Sequence, residues 1–482
     1  MNIILLNPQL KTWSPNVYVP LGIAYIAAVL EREGHHLEII DLNLQKANDT
    51  DFIKRLSGAD IVGITGMITE YEAILGLVET VKKAGAGVRV ILGGPLVTTI
   101  PHELLEASQA DIAVLGEGEK TIVSLVSAIE RGSDFSDIKG IAYRTDSLVK
   151  VTGPVEPVAD LDTIPFPARH LLDMNRYLRN YFKSFGIKIK ELGEIKCTNL
   201  VSSRGCPYSC TFCFKEMWGP KWRGRSPENI ISEMELLYET YGINGFFFND
   251  DTFVLDRDRI FKFCRQLEEK RLKAVWYCNG RVNLMTREML EAMYGAGCRG
   301  IAYGIESGNQ QVLDSMKKNE TLDQVRQVVK WTKEAGIHVT GYFMLGMLGE
   351  TRATIRETMA FARELELDFH GFSLTTPIPG TELYDFAIKA GLINGNNRIS
   401  GEWSLHANAN LTRDCSDSDL TAFANEAFKE FYLKKRFGKY YFLNPVMWKE
   451  EVKVLSSIRN KEQAGELVNK ARGVFSSYWH RL

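Results

Sequence analysis

Ser203-Arg204-Gly205-Cys206-Pro207-Tyr208-Ser209-Cys210-Thr211-Phe212-Cys213 carries three cysteines in C-x-x-x-C-x-x-C spacing. Three thiolates this close can hold three corners of a cubane iron–sulfur cluster, whose usual cysteine set is four. With no fourth protein ligand, one iron stays open to a substrate or cofactor. A structural zinc site is one alternative, but it normally takes four Cys/His ligands. The nearest histidines are His170 and His338, and no spacing rule recruits Cys197. A chance group of core cysteines is the other alternative. The run follows a predicted strand at 198–202, so it lies on the loop at that strand's carboxyl end.

Reading on toward the C-terminus, the pattern repeats. Strands are expected at 198–202, 245–249, 275–279, 300–305, 339–345 and 371–376. Helices are expected at 227–241, 257–270, 287–294, 309–315, 322–335, 351–365 and 383–389. Six strands with intervening helices suit a partial (βα)6 barrel over 196–385. In β/α barrels chemistry sits on loops at strand C-termini. Those loops hold Asn249-Asp250-Asp251, Asn279-Gly280-Arg281, Gly304-Ile305-Glu306-Ser307-Gly308, Leu345-Gly346 with Gly349-Glu350-Thr351, and Thr375-Thr376-Pro377. The plain readings are helix caps for the aspartates and a weak surface ion pair for Arg281.

Toward the N-terminus, residues 1–152 read as a second α/β unit. Its strands are expected at 3–6, 37–40, 61–65, 88–92 and 112–115, and its helices at 23–32, 71–83, 102–108 and 121–131. Near-continuous apolar strands between helices imply a doubly wound parallel sheet covered on both faces. A hairpin at 138–152 closes it. Ligands of such sheets bind outside the strands' carboxyl ends. The loops there are Asn7-Pro8, Gly63-Ile64-Thr65-Gly66, Gly93-Gly94-Pro95-Leu96-Val97-Thr98 and Gly116-Glu117-Gly118-Glu119-Lys120-Thr121. Glycine lets a ligand approach the backbone closely; tight turns are the plain reading. Residues 153–195 form a linker with Pro154, Pro157, Pro165 and Pro167, expected to wrap between domains. Residues 386–482 read as a helical C-terminal domain. Within it, 431–445 is basic and aromatic, and lysines snorkelling over a packed aromatic face are favoured over lipid contact.

The cysteine run, with Phe212 before its last cysteine, resembles the radical S-adenosylmethionine (SAM) enzymes. G-I-E-S-G at 304–308 and the motifs near 341–351 and 375–381 follow in that family's order. The resemblance implies a [4Fe–4S] cluster on Cys206, Cys210 and Cys213. It also implies SAM chelated to the open iron and a 5′-deoxyadenosyl radical on reduction. It places Phe212, Asp250, Asp251, Arg281, Glu306, Ser307 and Leu345 around SAM. The aspartates suit the methionine ammonium, by charge-assisted bonding, and Arg281 suits its carboxylate. N-D-D replaces the family's usual G-G-E-like motif. Arg223 and Arg225 belong to an R-x-R-S-P-E pattern and either anchor a substrate anion or cap the cluster loop.

The order G-I-T-G, G-G-P-x-V-T and G-E-G-E-x-T resembles the cobalamin-binding domain that precedes many such enzymes. It implies Asn7, Gly63, Thr65, Gly66, Gly93, Gly94, Pro95, Gly116, Glu117 and Gly118 as cobalamin contacts. D-x-H-x-x-G, which supplies a cobalt-binding histidine elsewhere, is absent, so the chain resembles the base-off subgroup. Leu96 stands where relatives often carry His.

The implied reaction is methyl transfer to an unactivated carbon of a metabolite or lipid. Ring formation or rearrangement with the same domains is the runner-up. A cobalamin carrier or sensor would leave the cysteine run without a role. A methylthiotransferase would need cysteines in the first domain, and none precedes Cys197. The family also implies an external electron donor of flavodoxin or ferredoxin type.

The bulk numbers agree. The chain has 482 residues, enough for two or three domains. Lys and Arg number 58 against 60 Asp and Glu, without the basic excess of a nucleic-acid coat. Eight cysteines, none before 197, do not form a disulfide framework. Reduced thiols suit a cytoplasmic enzyme. The N-terminus reads as a strand rather than a signal peptide, and no apolar run has spanning length. Peripheral membrane contact stays open.

Overall fold

Unbroken apolar runs such as Ile3-Ile4-Leu5-Leu6 are buried on both sides, and this alone demands a layer on each face. The computed structural model describes residues 1–9, 18–44, 50–145, 148–179, 181–184, 187, 189, 192–393 and 409–433. The chain divides into two compact units, Met1–Ala424 and Asn425–Leu482.

The N-terminal part of the first unit runs β1 (Asn2–Asn7), α1 (Leu21–Arg32), β2 (His36–Asp41), α2 (Thr50–Ser57), β3 (Ile61–Thr65), α3 (Tyr71–Ala84) and β4 (Arg89–Gly93). It continues with α4 (Pro95–Thr99), α5 (Pro101–Ala107), β5 (Ile112–Val114), α6 (Gly118–Arg131), β6 (Ile141–Arg144) and β7 (Val149–Val151). The sheet order is β2-β1-β3-β4-β5-β6-β7. Ile4 and Leu6 enter one apolar layer, Ile3 and Leu5 the other. The first five strands are parallel, whereas β6 and β7 pair antiparallel. The expected hairpin is therefore part of the sheet, which is mixed rather than wholly parallel. Helices α2 and α4 lie outside the sequence expectation. Pro95, read as loop, is the first residue of α4, where its missing N–H costs nothing.

The second part runs α7 (Tyr181–Ser184), β8 (Cys197–Leu200), β9 (Ser203–Arg204), β10 (Arg223–Gly224), α8 (Pro227–Tyr241), β11 (Gly245–Phe248), α9 (Arg257–Lys270) and β12 (Val275–Gly280). It continues with α10 (Arg287–Gly295), β13 (Cys298–Glu306), α11 (Gln310–Ser315), α12 (Leu322–Glu334), β14 (His338–Leu345), α13 (Arg352–Glu364), β15 (Phe369–Leu374), α14 (Glu382–Lys389) and α15 (Asp417–Ala427). Strands β8-β11-β12-β13-β14-β15 form one parallel sheet, a half-barrel, as expected. Its helices start on side-chain caps, for example Ser226 accepting from Asn229 N on α8.

Part of the supposed linker does more than wrap. Tyr181 and Phe182 of α7 are fully buried against Phe247 and Tyr277 from β11 and β12. Phe247 stacks on Tyr277 at 5.1 Å and meets Tyr181 edge-on at 5.5 Å. This aromatic plug packs α7 onto β11 and β12. The expected helical C-terminal domain is described only as far as a helical segment at Phe428–Leu433. The basic aromatic run at 431–445 lies almost wholly outside the described residues.

Candidate functional site

The cysteine run leaves β8 through β9, which pairs antiparallel with β10 and pins the start of the loop. Gly205 follows at φ +84°, and a Cβ there would run into the Lys221 carbonyl, so only glycine turns the chain here. Two backbone bonds hold the far side: Thr211 N to Met316 O at 3.1 Å, and Leu383 N to Thr211 O at 2.9 Å. Cys206 and Cys210 are half-buried and Cys213 is exposed, unlike the buried Cys197, Cys264, Cys278 and Cys298. Cys206 Sγ lies 3.4 Å from Thr252 Oγ1. Protein packed around the Cys213 sulfur, then Asp251, Cys210 and Cys206, push its thiol up to about 11. The three sulfurs therefore sense one another, and thiolates so grouped favour a positive metal centre among them.

Among the described residues no three His, Cys, Asp or Glu side chains converge at one-ion distance. Cys197 is no fourth ligand, because it packs in the aromatic plug at the opposite end of β8. The donor set thus fits a cluster with one free corner.

The strand-end residues divide into two groups. Asp250 is buried and fully engaged: it accepts from Ser202 N at 2.7 Å, from Ser202 Oγ, and from Ser203 Oγ at 2.7 Å. It braces the entry to the cysteine loop. Asp251 keeps part of its surface exposed, yet protein packed around its carboxyl, then Asp250, pushes it up to about 6 against the pull of Lys215. Arg281 is also spoken for. It donates to Cys210 Sγ at 3.6 Å and to Lys318 O, and its guanidinium lies 3.6 Å from the Tyr208 ring centroid.

Glu306 takes a left-handed φ of +65° at a bulge in β13 and pairs with buried Lys318 at 3.0 Å. Ser307 is wholly buried; its hydroxyl bonds Thr358 at 3.1 Å and accepts from Asn309 N at 3.1 Å. It ties β13 to α13. Leu345 ends β14 in the core, and Phe212 packs on the apolar group around Met316 and Met347. Beyond Leu345, Glu350 accepts from Gly346 N at 2.7 Å and Met347 N at 2.8 Å. Its burial outweighs those bonds and pushes it up to about 7.

The carboxyl edge of the N-terminal sheet is made mostly of backbone. Gly94, at φ +97°, would put a Cβ 2.8 Å from Thr65 Oγ1 and 3.0 Å from Gly66 O. Gly66 N bonds Gly93 O at 3.1 Å, and Gly116 N bonds Thr98 Oγ1 at 3.0 Å. Gly63 faces Leu5 and Gly118 faces Ile26, so both are needed for packing. A Cβ on Gly93 would meet nothing within 4 Å, so this loop faces open space that a cofactor can enter. Pro95 starts α4 behind it. Asn7 bonds Asp41 at 2.9 Å, and Asp41 also accepts from Tyr177 OH at 2.7 Å. Glu70 accepts from Met67 N at 2.7 Å; burial first, with Asp41, pushes it up to about 7.

Glu117 behaves differently from the glycines beside it. Its buried carboxylate takes Arg223 Nη1 at 3.0 Å, Arg204 Nη1 at 3.3 Å and Val158 N at 3.1 Å. Arg204 also pairs with Glu119. Glu117 thus joins the loop after β5 to the residue two before Cys206. Arg223 serves this clasp, and Arg225 is buried against Glu233, so neither arginine is an open anion anchor. Glu70, Lys318, Glu320 and Tyr208 were not singled out by sequence. Only Tyr208, inside the cysteine run, had any local signal.

The radical SAM superfamily model matches residues 200–362, and the B12-binding domain model matches residues 12–126. A protein of Pyrococcus horikoshii described as an uncharacterized methyltransferase is 31% identical over 447 residues, covering 90% of this chain and 93% of that one. The anaerobic magnesium-protoporphyrin IX monomethyl ester cyclase of Rubrivivax gelatinosus is 26% identical, covering 80% and 69%. The fold matches that of the cobalamin-dependent SAM radical enzyme OxsB, with aqua-cobalamin and SAM bound. That match has a TM-score of 0.72 at 18% identity and covers 98% of this chain and 70% of that one. An open cysteine trio on a half-barrel, behind a glycine-edged sheet, places this chain in the radical SAM superfamily as an enzyme with a B12-binding domain, whose cofactors are a [4Fe–4S] cluster, SAM and cobalamin.

Proposed function

We propose that the chain is a C-methyltransferase acting on an unactivated carbon of a small or lipid-like metabolite. The observation that carries this reading is the Glu117–Arg204 contact, which yokes a loop of the B12-binding sheet to the cluster loop. The methyltransferase name of the 31% identical relative supports it. When bound, the cluster and SAM supply a hydrogen-abstracting radical and cobalamin supplies the methyl group.

The chain's own residues hold and orient these groups. Residues 196–385 act as the radical SAM domain and 1–152 as the cobalamin domain. Cys206, Cys210 and Cys213 bind the cluster. Asp251, with its carboxyl free of the Ser202–Asp250 brace, accepts from the SAM ammonium. Glu306, held by Lys318 at the bulge in β13, takes the ribose side, while Phe212 and Leu345 form apolar walls. Backbone at Gly66, Gly93, Gly94 and Gly116 lets cobalamin approach closely. A flavodoxin- or ferredoxin-type protein supplies the electron.

A second reading, ring formation or rearrangement, is favoured by the 26% identical cyclase. Anaerobic purification and reconstitution, followed by iron and cobalt assays, test the cofactors. Turnover with methyl-deuterated SAM and a small-molecule extract then separates the two readings. Methylation gives S-adenosylhomocysteine and 5′-deoxyadenosine in equal amounts and a deuterated product. Ring formation gives 5′-deoxyadenosine and methionine without S-adenosylhomocysteine. Protein that takes up iron but no cobalt would overturn the methylation reading.

A further inference from the structure

Arg281 has the side chain expected of a carboxylate binder, yet its donors are turned toward the cluster loop. Nη1 donates to Cys210 Sγ at 3.6 Å, Nη2 to the Lys318 carbonyl, and Nε to Asn283 Oδ1 at 3.1 Å. The guanidinium also stacks on Tyr208, two residues before Cys210, at 3.6 Å. Behind it, the Glu320 carboxylate stands 3.4 Å from Nε and is 3% exposed. Lys318 and Glu306 complete a buried group of two cations and two anions. Arg281, Lys318 and Glu320 lie on the loops leaving β12 and α11, Glu306 ends β13, and of the four only Arg281 hydrogen-bonds a cluster cysteine.

We propose that Arg281 is a positioning residue for the cluster: it holds the Cys210 side of the loop and raises the cluster's reduction potential, with Glu320 as the counter-charge that moderates the effect. Hydrogen bonds to cluster sulfurs and the local net charge are the protein's levers on this potential. A cation donating to a thiolate favours the more negative, reduced cluster. A buried anion behind that cation disfavours it. The two residues therefore push in opposite directions. The inference rests on the cysteine assignment, and iron content with the oxidised cluster's absorption tests that assignment separately.

The experiment is an electron-paramagnetic-resonance redox titration of anaerobically reconstituted full-length protein without SAM. It compares the parent with Arg281→Gln, Arg281→Lys and Glu320→Gln, alongside SAM binding to the oxidised protein. Arg281→Gln is expected to lower the reduced-to-oxidised ratio at fixed ambient potential on the order of tenfold, about 59 mV for a one-electron couple. Arg281→Lys, keeping the charge but not the fork, is expected to fall between. Glu320→Gln is expected to shift the midpoint the other way, because Tyr208 and the Lys318 carbonyl still hold Arg281. Unchanged midpoints with weakened SAM binding would make Arg281 a SAM ligand and overturn the proposal. Shifts of the same sign in Arg281→Gln and Glu320→Gln would reduce the network to scaffolding and also overturn it. Where Arg281→Gln fails to assemble a cluster, the sign of the Glu320→Gln shift alone decides.

Discussion

The first five strands of the mixed N-terminal sheet and the parallel half-barrel sheet end in loops that carry opposite chemistry. At the N-terminal sheet the edge is glycine backbone at Gly66, Gly93, Gly94 and Gly116, with the charged Glu117 and Glu119 turned away into a clasp. At the half-barrel the edge is side chains: three cysteines, Asp251, Arg281, and the Glu306–Lys318 pair. On the proposed reading, a bulky cofactor is received by shape and backbone donors, and a cluster and a zwitterionic ligand by thiolates and fixed charges. The same fold logic thus serves both, and the residue types on the loops set the ligand class.

The largest test of this contrast is removal of a thiolate. Cys213→Ala is expected to abolish the [4Fe–4S] absorption and all 5′-deoxyadenosine formation while leaving cobalt binding in place. Cobalt loss in the same variant would break the separation of the two edges. Next is the clasp between them. Glu117→Gln leaves Arg204 and Arg223 short of their buried counter-charge, and breaking a buried pair costs about 3–5 kcal/mol. Urea unfolding should show that loss as a lower midpoint, with a smaller loss for Glu119→Gln.

A third variant acts on backbone alone. Gly94→Ala forces a Cβ into Thr65 and Gly66 at a positive φ, a strain of roughly 1–3 kcal/mol. Cobalt content after reconstitution should fall while iron content holds.

The finest comparison is by pH, because each sheet has a loop-anchoring carboxyl that burial pushes up to about 7. Glu350 is raised from 4.5 to about 7, chiefly by burial. The folded protein therefore holds a proton that the unfolded chain releases, and stability falls as pH rises from about 4.5 to 7. The loss reaches about 3 kcal/mol, from about 1.4 kcal/mol per pH unit. Glu350→Gln should flatten this part of the stability–pH curve, measured by thermal or urea unfolding at several pH values. Glu70, raised to about 7 by burial and by Asp41, adds a slope of the same sign. A curve that rises across this window would contradict both assignments.

Much of the scaffold was legible because its signals are local. Helices at Pro227–Tyr241 and Arg257–Lys270 match the expected spans, since each carries its own cap and periodic apolar face. Strand β3 at Ile61–Thr65 matches because its short, near-continuous apolar run is also a local signal. Helices α2 and α4 went unread because α2 is short and polar and α4 begins inside a glycine-proline turn. The site was half legible. The cysteines announced themselves by spacing. The partners of Asp250, Ser307, Glu117 and Arg281 did not, because Ser202, Thr358, Arg204 and Cys210 are all distant in sequence.

The order of residues alone determined two α/β units, an open cysteine trio and the cofactors that go with it, because spacing and periodicity are properties of neighbours along the chain. Which charges face those cofactors was decided only on folding. Buried ions must find counter-charges, and the nearest ones came from other strands. Asp250 and Glu117 were drawn into structure by that requirement, Asp251 was left open, and Arg281 was turned from a ligand's carboxylate toward a cysteine.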